Sequence, residues 1–597
     1  MGLQAGRALG SSGRIMTFPT DEQKVYMGTS LEENVYLKAC PGSGKTEVVA
    51  AMVSQAIGSW TRFPAGIAVL TFSNSATDEL IKRLSKHLKE PISFPHCVST
   101  FDSFLLSQIV STVASVITGY PGRDGDFRIR VLDNTSNLFL TKTKISSQRI
   151  SACRYDFDIR SQRFIFNTGE RTLNKQLDNV EQTAALFEDL GKTKRQLWKA
   201  GFATYNDVAM IAIKALGNKG LSNYFERLAR RFPVVFVDEC QDLSSAQLRI
   251  IKDLHRFGIR FHFVGDLQQS IYGFRGSEPA LVEKFIGDLG FNPCALTVNW
   301  RSGQGVVDLC SDLLKLNRIT GNPGIDTIRP KLIQYSACPS EIVATVLELT
   351  KAYEHVVVVA RGHSTLQRFS LGNALKPLEE LALACSQFSS NDMVEVRQAM
   401  EIFAAWLTAK AELQVKTTGM SCPHDVQSSL DWRIFVANCL AYLSDCGAAN
   451  MGLTWKRWAL LTKQAIRSLP DQPFVSNELK GQLEGLREAH LSAPAGQGNA
   501  TLHSRLMDRH QETEARLRFA TIHEVKGETH DATVVVSSLQ AGVHMSNWKD
   551  WLADPASEAA RFAYVASSRP KHLLIWAVKK LKKDESKILS SLGFEIL

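Results

Sequence analysis

Short apolar runs rich in β-branched residues punctuate this chain at wide intervals. They include Val35–Ala39, Ile67–Leu70, Val234–Val237, Phe261–Val264, Val356–Ala360, Ala532–Ser537 and Leu573–Val578. Without polar alternation, such runs read as strands buried on both faces of a parallel sheet. Helical patterning fills the gaps, at Glu47–Ile57, up to about His87, at Thr204–Leu216 and at Leu221–Arg231, while Thr20-Asp21-Glu22-Gln23 starts like a capped helix. Strands alternating with helices predict an α/β fold. Two stretches break the alternation. Residues 105–196 read as a mainly helical inserted subdomain, and 373–515 as a second, rich in Ala and Leu, with Trp406, Trp432, Trp455 and Trp458 as core.

At 597 residues the chain exceeds one core, and three or four domains are expected. No apolar run approaches a membrane span, and residues 1–15 read as a disordered leader. The net charge of +9 favours a polyanionic partner. The eleven cysteines contain no Cys-x-x-Cys pair, which argues against a zinc or iron–sulfur centre and fits free thiols in a reducing cytoplasm.

The chemistry collects where strands end. Val35–Ala39 runs into Ala39-Cys40-Pro41-Gly42-Ser43-Gly44-Lys45-Thr46 and then a helix. Glycines there let backbone N–H groups face phosphates, Lys45 can reach the β- and γ-phosphates, and Thr46 can place a hydroxyl on Mg²⁺. Ala39 stands where the general phosphate-loop pattern has its first glycine. Val234–Val237 delivers Asp238 and Glu239, a pair suited to holding Mg²⁺ and activating water, or else an ordinary solvated turn. Phe261–Val264 leads to Gln269, Tyr272, Phe274 and Arg275, which can sense a phosphate on one side and stack bases on the other. Thr71-Phe72 and Thr100-Phe101 could line a single-strand channel, with core packing of the two phenylalanines as the alternative.

In this order the stretches, continuing through Asn299-Trp300-Arg301, Thr521-Ile522-His523-Glu524-Val525-Lys526-Gly527-Glu528 and Arg561–Arg569, resemble the motif series of superfamily 1 helicases of the UvrD/Rep/PcrA type. The resemblance implies two RecA-like parallel-sheet domains, 16–104 with 197–295 and 296–372 with 516–597, each interrupted by an insertion. ATP with Mg²⁺ would bind between them and single-stranded DNA across their tops. By resemblance Gln23 reads adenine, residues 39–46 hold the phosphates, and Thr46 and Asp238 hold the metal. Glu239 is the catalytic base, Gln269 the γ-phosphate sensor, and Arg301 and Arg569 the charge-stabilising fingers. Trp300, in place of the usual tyrosine, stacks on adenine. Thr71, Phe72, Asn74, Thr100, Phe101, Tyr272, Phe274, Arg275, Thr521 and His523 fall on strand-contacting positions, Phe274 replacing the usual tryptophan. The fifth motif departs from the family's Lys-Gly-Leu-Glu, so the ribose-contacting acid shifts to Glu528. The resemblance implies a 3′–5′ single-strand translocase acting on tailed duplexes, in repair or defence, with no nuclease domain after the last motif. Lys526-Gly527-Glu528-Thr529-His530 also resembles the helicase-like subunit of the Gabija antiphage system, which implies a regulatory role beside a separate OLD-family nuclease.

Overall fold

The apolar runs assemble into two six-stranded sheets in which every pairing is parallel. A computed structural model describes residues 19–597 apart from 89, 147, 170, 274–275, 372–376, 391–392, 416–419, 425, 427, 495, 497, 503–515 and 543–544. The expected leader, Phe274 and Arg275 lie outside the described residues.

The first sheet contains β1 (Val35–Ala39), β2 (Ile67–Thr71), β3 (Cys97–Thr100), β4 (Val234–Val237), β5 (Arg260–Gly265) and β6 (Asn292–Leu296), in the order β6-β1-β5-β4-β2-β3. The second contains β7 (Lys331–Tyr335), β8 (Val356–Ala360), β9 (Leu517–Thr521), β10 (His530–Val536), β11 (Pro570–Lys579) and β12 (Glu595–Ile596), in the order β9-β8-β10-β11-β7-β12. All of β2, β4 and β8 is buried. Along β4, Val235 and Val237 enter one core while Val234 and Phe236 enter the core on the opposite face. In β8, Val357 and Val359 likewise part from Val356 and Val358. This side-to-side division explains why the strands read as continuous apolar runs: both faces are covered by helices. These are two RecA-like α/β domains.

One insertion lies between β3 and β4. It carries a helical run over Phe101–Thr118, a hairpin of Tyr155–Asp158 with Arg163–Phe166, and the helix Ala184–Lys199. The run Phe101–Thr118 is long and apolar enough to cross a membrane by length and composition, against the expectation that no stretch approaches a span. Its Phe101, Phe104, Leu105, Ile109 and Val110 pack into the core of the first sheet, which accounts for its apolar character. Between β8 and β9, the helices Pro377–Gln387, Met393–Lys410, Ser429–Asp445 and Trp455–Ser468 close around their own core. Trp406, Trp432, Trp455 and Trp458 are part of that core.

Candidate nucleotide cleft and strand-contacting edge

The loop after β1 turns through Gly42 and Gly44, both left-handed with φ of +71° and +81°, a region open to glycine at little cost. Gly44 caps the helix Lys45–Gly58, whose first turn carries Thr46, half-buried. A Cβ on Gly42 would stand 2.5 Å from Arg301 Cβ and 2.6 Å from Asn299 Oδ1. The Trp300 N–H donates to the Gly42 carbonyl at 2.9 Å, so the segment entering the second domain lies directly on the loop. Gln23 is fully buried. Its Oε1 accepts the Thr20 N–H at 2.9 Å in a capping box, and its Nε2 donates to the Ser43 carbonyl at 3.3 Å.

The acids follow β4 directly. Asp238, buried, accepts the Glu239 N–H at 2.9 Å. Glu239 occupies the left-handed region at φ +54°, a strained setting for a residue with a Cβ, and starts the 3₁₀ turn Cys240–Asp242. Lys45 Nζ lies 3.1 Å from Glu239 Oε1, and Gln241 Nε2 donates to the other carboxylate oxygen. Burial and then the neighbouring Glu239 charge push the Asp238 carboxyl up. Burial would raise Glu239 too, but Lys45 and Lys526 outweigh it and hold it below the usual carboxylate range. Burial alone would lower Lys45, and the carboxylates of Glu239, Asp238 and Asp266 reverse that.

Across the cleft, Arg569 Nη2 donates to Gln269 Oε1 at 3.0 Å, and Gln269 Nε2 donates to Asp266 Oδ2 at 2.9 Å. Arg569 is 1% exposed, and its Nε donates to the Val565 carbonyl at 2.8 Å. Arg301 Nη1 donates to the Ser568 carbonyl at 3.0 Å. Burial and then Arg569 lower the Arg301 guanidinium. Among the described residues, neither arginine has a carboxylate within ion-pair distance. Two cations beside each other, Arg569 buried and Arg301 half-buried, make a receptive place for a polyanion. The structure therefore brings Gln23, the loop through Cys40, Pro41 and Ser43 to Lys45, Asp238, Glu239, Gln269, Trp300, Arg301 and Arg569 to one cleft.

Glu528 is placed differently. Arg518 grips its carboxylate through two bonds of 2.8 and 2.9 Å, and His530 Nε2 lies 3.0 Å from it. Only the Glu528 carbonyl meets the arginine cluster, accepting Arg569 Nη1 at 3.5 Å. Here the side chain assigned to the ribose is committed to its own sheet edge.

The expected strand-contacting residues divide. Asn74 is exposed at the start of a helix, while Phe72, Thr100, Tyr272 and His523 are half-buried. Thr71 is fully buried, with its hydroxyl on the Ser73 carbonyl at 3.2 Å and on Thr77 at 2.6 Å. Thr521 lends its hydroxyl to Glu524 at 3.0 Å. Phe101 is 2% exposed in the first core, which corrects the expectation that it offers a ring to bases. The first helical turn after β3 aims that side chain under the sheet.

Several residues at the same edge escaped the sequence reading. Asp266, directly after β5, repeats the strand-then-acid pattern that singled out Asp238, so a signal was there. Arg561 Nε donates to the Ser270 carbonyl at 2.7 Å, and Glu558 accepts the Gly273 N–H at 2.9 Å, so the helix Glu558–Ser567 holds the loop after Gln269. Arg361, after β8, lies 4.2 Å over the Phe562 ring and 3.2 Å from His523 Nδ1. Nothing in the sequence pairs these positions.

Residues 20–290 match the family model of the UvrD/REP helicase N-terminal domain. That segment is similar to the UvrD/REP helicase N-terminal domain. Among its relatives, the ATP-dependent DNA helicase PcrA of Leuconostoc citreum is 26% identical over 298 residues, covering 48% of this chain and 38% of that protein. The ATP-dependent DNA helicase UvrD1 of Mycobacterium leprae is 26% identical over 294 residues, 46% of this chain and 37% of its own. DNA helicase II of Haemophilus influenzae is 25% identical over 309 residues, 50% and 40%. The matched part thus spans about two fifths of these curated relatives. The matched segment holds Gln23, Lys45, Asp238, Glu239 and Gln269, while Arg301 and Arg569 reach it from beyond the match.

Proposed function

We propose that this chain is an ATP-dependent DNA helicase that moves 3′ to 5′ along single-stranded DNA in the cytoplasm and opens tailed duplexes. One observation carries the reading: Lys45, Glu239 and Gln269 of one domain and Arg301 and Arg569 of the other converge on a single cleft, with one buried and one half-buried guanidinium that lack a carboxylate partner among the described residues. Arriving phosphates draw Lys45 off Glu239. The freed carboxylate, no longer held low by the Lys45 ammonium, then takes a proton from the attacking water. Arg301 and Arg569 spread the charge that develops on the transferred phosphoryl, an effect worth about 10³–10⁵ in rate across NTPases. Trp300 and Gln23 flank the loop on the side where the base would lie. Thr46 and the buried Asp238, whose raised carboxyl a dication would draw back down, would hold Mg²⁺, which would supply charge neutralisation to the bound phosphates. Because Arg569 and Gln269 touch across the domains, closure on ATP and opening after hydrolysis would move one strand-contacting edge relative to the other.

ATP turnover and strand separation on 3′- and 5′-tailed duplexes test this. Hydrolysis stimulated by single strands, with opening of the 3′-tailed substrate, is expected. Absence of hydrolysis would sink the reading, and preference for the 5′ tail would sink the polarity. Stimulated hydrolysis with no strand opening unless a co-purified nuclease is present would transfer the chain to a regulatory role in an antiphage complex.

A further inference from the structure

Lys526 lies in the loop after β9 of the second domain, yet its side chain is 9% exposed and its ammonium pairs with Asp242 of the first, whose side chain is 3% exposed. The pair joins residues 284 positions apart and is buried between the domains. Lys526 Nζ also sits 4.7 Å from the centroid of the Tyr272 ring, inside the range of a cation–π contact. Tyr272 is half-buried at the strand-contacting edge, 5.6 Å from the His523 ring. One ammonium therefore touches a stacking ring on one side and a buried carboxylate on the other.

Asp242 is no remote acid. Its N–H donates to the Glu239 carbonyl at 3.0 Å, closing the 3₁₀ turn that starts at Glu239, and Gln241 within that turn holds the Glu239 carboxylate. Gln241 Oε1 also accepts the Asp266 N–H at 3.1 Å, which ties the turn to the segment ahead of Gln269. Displacing Asp242 therefore displaces the base. We infer that Lys526 is a positioning residue that links the state of the Tyr272 ring to the placement of Glu239. The inference rests on the helicase reading above. A base stacking on Tyr272 fixes the ring, the ring fixes the ammonium beside it, and the ammonium fixes Asp242 and its turn. Opening of the domains withdraws Lys526 and releases the turn.

The test uses the full chain, with kcat and KM for ATP measured with and without oligo(dT), and binding of a fluorescent ADP analogue as a control. K526M is expected to lose about tenfold of the DNA stimulation of kcat, within the range common for coupling between sites. KM for ATP and ADP binding should stay within about threefold, since the contact is not to nucleotide. K526R, which keeps a cation for both Asp242 and Tyr272, should recover most of the stimulation. Y272F should retain it and Y272A lose it. The double variant Y272A/K526M should be no worse than K526M alone, as expected of residues on one path. K526M/D242N leaves no buried charge uncompensated and so guards against misfolding, and it should show the same loss as K526M. Undiminished stimulation in K526M/D242N, or additive losses in the Tyr272 double variant, would overturn the inference. A wild-type chain without DNA-stimulated hydrolysis would instead overturn the helicase reading, and the inference with it.

Discussion

The nucleotide cleft and the strand-contacting edge share the carboxyl ends of the same two sheets, yet their side chains are held in opposite ways. In the cleft, residues chosen from distant parts of the sequence meet one another: Lys45 meets Glu239, Gln269 meets Arg569, and Gly42 lies under Arg301. Along the edge three of them turn inward, while Asn74 stays exposed. Thr71 and Thr521 commit their hydroxyls to their own loops, and Phe101 enters the core. Phosphate chemistry is anchored by the last residue of a strand and the first turn of a helix, positions that chain geometry fixes. Contacts to a nucleic-acid strand depend on which side of the sheet edge a side chain takes, and one residue's step reverses that.

Arg569→Ala separates the cleft from the edge most strongly. If the cleft arginines act on phosphoryl charge, kcat should fall by about 10³ or more while ADP binding changes far less. A fall below tenfold would make the Arg569–Gln269 contact a structural bond. Glu239→Gln comes next, with a loss of about 10²–10⁴ in kcat and nucleotide binding retained. Undiminished hydrolysis would remove Glu239 from the chemistry.

Two aromatic truncations then separate edge from core. Phe101→Ala should cost about 3–5 kcal/mol of stability, read by denaturant unfolding, with the DNA affinity of the folded fraction unchanged. Tyr272→Ala should weaken single-strand binding by about 1–3 kcal/mol, read by anisotropy titration. If Phe101→Ala weakens DNA binding and Tyr272→Ala does not, the division of the edge is wrong.

The smallest effect concerns His262, fully buried on β5 with its ring centroid 4.6 Å from that of Phe236. Burial lowers its pKa to about 4, so the folded protein holds it neutral where the unfolded chain protonates it. The stability it contributes is complete above the unfolded value of about 6.5 and is lost as pH falls toward 4. Between pH 7 and 5 the loss should be about 2 kcal/mol. His262→Phe should flatten the pH dependence of denaturant midpoints over that window, and an unchanged slope would show that other groups set it.

Much of the fold was legible because buried parallel strands carry continuous apolar runs, and Val234–Val237 and Val356–Ala360 leave little room for another reading. The cleft residues were legible as far as each sits beside a strand end, as Lys45, Asp238 and Glu239 do. Trans-domain pairings were not. Asp242 with Lys526, and Ser270 with Arg561, depend on the docking of two sheets rather than on local spacing. Glu528 is engaged within its own domain, by Arg518 of β9 ten residues earlier, through the fold of the loop between them. Phe101 could be recognised as apolar at a strand end, but its direction follows from the helix Phe101–Phe104 that starts there.

Glu239 at φ +54° carries a consequence for how this chain can lose its activity. A side chain in the left-handed region costs about 1–2 kcal/mol, and glycine there would relieve that against about 0.5–1 kcal/mol of lost backbone restriction in the unfolded chain. Glu239→Gly therefore relieves the backbone while removing the carboxylate that Lys45 and Gln241 hold, with Asp238 and Asp266 left beside Lys45 to limit the loss of stability. An allele with this change would accumulate to normal levels, keep its surfaces for nucleotide and DNA, and occupy sites without turning over. Surveys that score variants by protein abundance would class it as healthy, while cells carrying it beside a working copy would experience it as an obstruction.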